Sequence, residues 1–259
     1  MILVQGAIHL DVVVRGPRLP RLGETLMGEA VDYVMGGKGA NQAVAAARCG
    51  AAVRMAGRVG TDAFSARLLA ALDAEGLDRS SVRETQGASG MSVALLDAQG
   101  DYGAVVVSGV NAGMTGEEAD PAGAALCLMQ NEVPEAANAV RDVPPALRAR
   151  CDLLVVNELE ARDMGAAPAD PFALRRAFGA VIVTRGARGL VLSDASGAEE
   201  MPAPQVTAVS AHGAGDAFCG ALSAFLADGA TLRDAARRAQ GYAARIVAAE
   251  PSARHTVRP

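Results

Sequence analysis

Short runs of β-branched and other apolar residues alternate along this chain with longer, alanine-rich stretches whose apolar positions recur at helical spacing. Residues 2–4, 53–56, 125–129, 153–156, 181–184 and 190–193 read as strands. Residues 40–49, 62–75, 158–164, 171–178, 217–228 and 232–248 read as helices. Strand, helix and strand in that order specify a parallel sheet covered by helices on both faces. Two places break the alternation. Residues 10–14 with 30–35, and 91–96 with 102–107, look like strand pairs with no helix between them, and 97–101 reads as a hairpin turn. These predict a small antiparallel sheet at one edge, read either as a flap over a cleft or as an ordinary mixed edge of the main sheet. Residues 142–145 and 165–171 read as loops. With no internal repeat and no low-complexity linker, the expectation is one domain over residues 1–259, with flap strands inserted at about 10–35 and 90–108.

Composition narrows the picture. Hydrophobic residues make up 51% of the 259 and charged residues 20%, which is ample for a buried core and excludes disorder as the main state. There is no Trp, with three Tyr and five Phe, so the core must be Ala, Val and Leu, and a base-stacking platform is not expected. Lys plus Arg is 24 and Asp plus Glu 29, giving 24 − 29 = −5, a balance that argues against a nucleic-acid partner. Cys49, Cys127, Cys151 and Cys219 form no C-x-x-C pair, so buried, reduced thiols are expected rather than zinc ligands or disulfides. The first residues lack a basic targeting segment, and no apolar run approaches the ~20 residues that span a bilayer. A cytoplasmic protein with no membrane partner is the expectation.

The chemistry concentrates in two glycine-rich loops. Around Gly213-Ala214-Gly215-Asp216 a strand is expected to end near Val209 and a helix to begin near Asp216. Glycines let backbone amides crowd at a helix N-terminus, where unpaired N–H groups and the helix dipole favour an anion such as phosphate. An Asp at that terminus is placed to act as a general base on a hydroxyl; capping the helix is the other reading, and both stay open. The second loop, Met35-Gly36-Gly37-Lys38-Gly39-Ala40-Asn41, brings two donors, Lys38 and Asn41, to a helix start. They suit a polyhydroxylated ligand, or the loop is a plain helix start with a solvated lysine. Neither loop is a dinucleotide fingerprint, because Phe218 and Gln42 stand where the third glycine belongs. Lys38 is followed by Gly39, so a P-loop is absent as well.

Taken together, the run from Gly36 through Asn41 to Ala51, Gly57-Arg58-Val59-Gly60-Thr61-Asp62 and Gly213-Ala214-Gly215-Asp216 resemble the signatures of the ribokinase (PfkB) carbohydrate kinase family. Gly6 with Asp11, Asn157-Glu158-Leu159-Glu160, and Thr184-Arg185-Gly186 with Gly189 follow in that family's order, so the resemblance covers nearly the whole chain. It implies a ribokinase-like three-layer α/β/α fold with a mostly parallel central sheet and a small β-sheet lid. The implied activity is ATP-dependent phosphorylation of a sugar, with O5 of D-ribose as the expected acceptor. Asp216 would be the base, and Gly213, Ala214 and Gly215 would supply an anion hole. His9, Asp11, Gly37, Lys38, Asn41 and Glu132 would contact the sugar. Asn157, Thr184 and Gly186 would serve the nucleotide, and Glu160 would organise Mg²⁺ indirectly. The resemblance also implies a homodimer formed through the lid.

The chain departs from the family pattern in four places. His9 stands where an Asn usually touches the sugar. Ser210 and Ala211 replace an Asp-Thr pair whose carboxylate helps to form a monovalent-cation site, which argues against K⁺ activation. Only eighteen residues separate Glu132 from Cys151, where relatives fit another helix and strand, so the sheet is expected to be a strand short. The sequence stops at Pro259 without the usual final helix beside the adenine and cation sites, so weaker nucleotide binding is expected. A kinase of another sugar, sugar acid or nucleoside, and a non-catalytic sugar- or nucleotide-binding member of the family, are the alternatives.

Overall fold

The computed structural model describes residues 1–97, 102–116, 118–119, 122–130, 132–133, 151–166, 172–175 and 177–259. The expected turn at 97–101, apart from Asp97, the loop at 142–145, most of 165–171 and the shortened stretch beyond Val133 fall outside the described residues. The chain divides into two compact units, Met1–Glu135 and Ala136–Pro259.

The first unit holds two four-stranded sheets. One contains β1 (Ile2–Gln5), β4 (Val53–Val59), β5 (Asp78–Glu84) and β8 (Leu126–Met129), in the order β5-β4-β1-β8 with every pairing parallel. Ile2, Leu3 and Val4 are at most 2% exposed, as a strand covered on both faces must be. Helices α1 (Lys38–Arg48) and α2 (Ser65–Ala74) bury Ala40, Ala43, Ala46, Leu68 and Leu72. The other sheet contains β2 (His9–Arg15), β3 (Ala30–Gly36), β6 (Gly90–Leu96) and β7 (Tyr102–Val107), in the order β3-β2-β6-β7. Its two outer pairings are antiparallel, as the sequence predicts, but β2 and β6 run parallel, so the small sheet is mixed.

The second unit carries β9 (Leu153–Asn157), β10 (Ala180–Thr184), β11 (Leu190–Asp194) and β12 (Gly197–Met201) in the order β12-β11-β10-β9. β9 and β10 are parallel and the other pairings antiparallel. Val156, Ala161, Leu174, Phe178, Val181 and Val183 form one apolar cluster under this sheet. Helices α3 (Glu158–Asp163) and α4 (Phe172–Arg175) follow β9. Helices α5 (Ala214–Ala227) and α6 (Leu232–Ala248) pack on each other through small buried residues, among them Ala221, Ala224, Ala235 and Ala239. No helix among the described residues is long and apolar enough to cross a membrane.

Three features depart from the sequence reading. β5 and β12 are edge strands rich in charge, and their apolar alternation is too weak to announce them. No strand forms between β12 and the Gly213 loop. Residues 202–209 contain Pro202 and Pro204, which have no N–H to give a ladder. The N–H groups of Val209 and Ser210 donate instead to the Val247 carbonyl near the end of α6. The cysteines are expected to be buried, but Cys49, Cys151 and Cys219 are only half-buried and Cys127 is exposed on β8, the last strand of its sheet.

Fully buried Asn111, in the 3₁₀ turn Gly109–Gly113, secures the connection between β1 and β2. Its Oδ1 accepts from the Ile8 N–H at 3.2 Å, and its Nδ2 donates to the Ile8 and Ser108 carbonyls at 3.0 Å each. Asn111→Ala strands the buried backbone groups of Ile8. The expected loss is about 2–6 kcal/mol, at ~1–3 kcal/mol for each of the two groups, read as a lower urea midpoint with unchanged slope.

Candidate active site

The end of β1 and the start of α1 meet backbone to backbone. A Cβ built on Gly39 would lie 2.7 Å from the Gly6 carbonyl carbon, and one on Gly6 would lie 2.9 Å from the Gly39 Cα. Gly37, the N-cap of α1, has φ of 88°, and a Cβ there would also strike Ala7. This contact brings the helix start against the residues that open β2. All six expected sugar contacts gather there, Glu132 through its bond to Lys38. A Cβ on Gly36 would sit 2.0 Å from Oδ2 of Asp11, so the glycine is what leaves room for that carboxyl group. The Lys38 N–H, at the first position of the helix, donates to Oε2 of Glu132 at 2.6 Å. His9 is 1% exposed and packs against Gly90. Asn41 lies in the first turn of α1, its N–H donating to the Gly37 carbonyl.

The polar atoms here are underemployed. Oδ1 of Asp11, Nε2 of His9 and both side-chain heteroatoms of Gln130 are buried and have no hydrogen-bond partner among the described residues. Buried polar atoms left in that condition are costly and call for a ligand or water. Burial raises the Asp11 carboxyl to about 6, and the negative charge of Glu132 adds to the rise. Burial lowers His9, with Glu132 pulling the other way, so near neutral pH the imidazole is a neutral group with one donor and one acceptor.

Asp62, in the Gly57–Asp62 motif, is structural. Its carboxylate accepts from the Ser89 N–H at 2.6 Å, the Ser89 hydroxyl, and the N–H groups of Phe64 and Ser65. Burial alone would raise this carboxyl group, but those hydrogen bonds outweigh it and hold it below the ordinary range. The sequence reading passes over Gln130, Asn111 and Gly90. Gln130 stands two places before Glu132 and was within reach of sequence inspection; Gly90 meets His9, and Asn111 meets Ile8, only through the tertiary fold.

In the second unit α5 begins at Gly213, which has φ of 76° and no side chain with which to cap. Asp216 sits in the first turn and is half-buried. A Cβ on Gly213 or Gly215 would meet nothing within 4 Å, so no described protein atom crowds these positions. The Ala214 N–H donates to the Ala211 carbonyl at 3.2 Å and is engaged inside the turn. The anion-binding capacity of this terminus therefore falls to the neighbouring N–H groups of the first turn.

Asn157 and Thr184 are register partners at the carboxyl ends of the parallel strands β9 and β10, where ligands bind in open α/β sheets. Asn157 and Glu160 form a capping box. Oδ1 of Asn157 accepts from the Leu159 and Glu160 N–H groups at 2.9 Å each, and Oε2 of Glu160 accepts from the Asn157 N–H at 2.8 Å. The Thr184 hydroxyl donates to the Val156 carbonyl at 3.3 Å. Gly186, with φ of 57°, has open space around its Cα.

Comparison with known proteins identifies the family. The profile of the pfkB family carbohydrate kinases matches residues 1–133 and 119–257. The ribokinase of Bacillus subtilis is 32% identical over 265 residues, covering 91% of this chain and 89% of that protein. The deoxyribokinase of Salmonella typhi is 28% identical, covering 94% and 91%. The Arabidopsis thaliana ribokinase solved with ribose and ATP superposes with a TM-score of 0.84 at 25% identity, covering all of this chain and 95% of that one. These likenesses fix the architecture as a ribokinase-like three-layer α/β fold, mostly parallel in its central sheet, with an additional small sheet. The chain belongs to the pfkB family of carbohydrate kinases and is a sugar kinase.

Proposed function

We propose that this kinase transfers the γ-phosphoryl group of ATP to O5 of D-ribose. The observation that carries the reading is the cluster at the start of α1, where Asp11 and Glu132 bring carboxyl groups, Lys38 and Asn41 stand in the first turn, and buried atoms of His9 and Asp11 have no hydrogen-bond partner among the described residues. A sugar offers several hydroxyls that each donate and accept, and this mixture answers them. Asp216 is the base that takes the proton of the attacking hydroxyl. The N–H groups about Gly213 and Gly215 hold the transferring phosphoryl group, and the open space at those two glycines fits a phosphate. Thr184, Gly186 and Asn157 line the nucleotide end. Glu160 keeps its Oε1 outside the capping box, an oxygen suited to a water of a Mg²⁺ shell. Bound Mg²⁺ would neutralise charge on the phosphates.

A second reading, phosphorylation of a different pentose, is favoured by His9. A buried neutral imidazole is bulkier than an amide and offers one donor. The Salmonella typhi relative named deoxyribokinase is consistent with it. The small sheet also suits a homodimer: Tyr33, Val12, Val93 and Val105 form one cross-strand row, three of them at least 40% exposed. Sedimentation should give a dimer that Val93→Asp converts to monomer; a monomeric wild type removes this element.

A coupled ADP-release assay over pentoses, hexoses and nucleosides should give the highest kcat/KM with D-ribose; a higher value on another sugar reassigns the substrate. Asp216→Asn should fold normally and lose about 10²–10⁴-fold in kcat, and an unchanged rate ends its assignment as base. Asp11 accepts from the sugar in its ionised form. The KM for sugar should therefore fall as pH rises through about 6, and Asp11→Asn should flatten that dependence. The raised folded value also means that the stability tied to protonated Asp11 is full below its unfolded value and lost as pH rises through about 6. Asp11→Asn should then gain stability relative to wild type at pH 8 but not at pH 4, by thermal melts.

A further inference from the structure

The loop that feeds the Gly213 turn is held by the end of α6 and the segment that follows it. The N–H groups of Val209 and Ser210 donate to the Val247 carbonyl at 2.9 and 3.2 Å. The carbonyls of the same loop point the other way, onto one side chain. Nη1 of Arg254 donates to the His212 carbonyl and Nη2 to the Ser210 carbonyl, both at 2.8 Å. Nε of the same guanidinium lies 3.4 Å from the Ala249 carbonyl, at the C-cap of α6. Arg254 stands in the 3₁₀ turn Pro251–Thr256 and is half-buried.

Two loop carbonyls turned onto one positive group, beside the negative end of a helix, make a cation site whose occupant is part of the chain. The guanidinium stays charged at any working pH, and its planar fork fixes both carbonyls at once. Two residues beyond His212, at Ala214, begins the first turn that carries Gly215 and Asp216. We propose that Arg254 is a positioning residue, a built-in cation that sets the 210–213 loop and so the anion-binding turn, and that phosphoryl transfer by this chain needs no added monovalent cation. The catalytic half of this proposal rests on the kinase reading above; the structural half does not. Ser210, which brings no carboxylate to the loop, is consistent with a site whose cation needs only main-chain oxygens.

The test compares the full-length wild type, Arg254→Ala and Arg254→Lys. Hydrogen exchange without ligands should show the amides of 210–216 exchanging about 10-fold faster or more in Arg254→Ala, while β9 and β10 stay protected. Wild-type kcat should be equal in K⁺, Na⁺ and tetramethylammonium salts. Arg254→Ala should lose about 10–100-fold in kcat with little change in the KM for sugar, the signature of a misplaced catalytic turn. Low-millimolar guanidinium or K⁺ should restore part of that loss. Arg254→Lys, which keeps the charge but not the fork, should fall between and remains informative if the alanine variant fails to fold. A wild type that requires K⁺, or variants that match it in exchange and kcat, overturns the proposal. A wild type inactive on every sugar overturns the kinase reading instead, and the exchange arm still decides the clamp.

Discussion

Two stretches of backbone in the first unit come closer than any side chain permits. Gly6 follows β1 directly and Gly39 lies in the first turn of α1, and a Cβ on either would collide with the main chain of the other. The rest of the candidate sugar site follows from that contact. It sets the N-terminus of the helix against the first residues of β2. There the Lys38 N–H finds Glu132, while His9 and Asp11 lie against Gly90 and Gly36. With larger residues at these positions the helix would stand off, and the acceptors and donors would not converge.

The convergence has an electrostatic cost, visible in Asp11. Burial, and then the charge of a nearby second carboxylate, push its carboxyl group up to about 6. Together with the unsatisfied atoms of His9 and Gln130, this marks a place where the protein has kept polar groups out of water without pairing them. Folding alone gains nothing from that arrangement; a ligand rich in hydroxyls does. Asp62 shows the contrast. It is also drawn in from water, yet four hydrogen bonds satisfy it and hold its carboxyl group low, as expected of a structural carboxylate.

In the second unit the corresponding problem is how to hold a glycine-rich turn still while leaving it open. Glycine gives the turn its left-handed φ at Gly213 and the open space at Gly215, but also makes the turn easy to deform. Order is imported from outside the motif. Val247 holds the loop's N–H groups and Arg254 holds its carbonyls. α6, in turn, is tied to the β11–β12 hairpin through Arg233, which pairs with Asp194 and with Glu199.

What the sequence determined by itself was the alternation of strand and helix, the paired strands of the small sheet and the residues of the two glycine loops. Each is written in local terms: apolar period, glycine spacing, and polar side chains at a helix start. The weakly patterned edge strands Asp78–Glu84 and Gly197–Met201 were not legible, because a charged edge strand is defined by the neighbour it pairs with. The expected strand before Gly213 failed for the same reason, its N–H groups being claimed by a helix end rather than a ladder. Only the tertiary structure decided that Asn111 fastens Ile8 across 103 residues and that Arg254 grips Ser210 across 44. Such bonds depend on where distant backbone groups come to lie, and no local period or spacing encodes that.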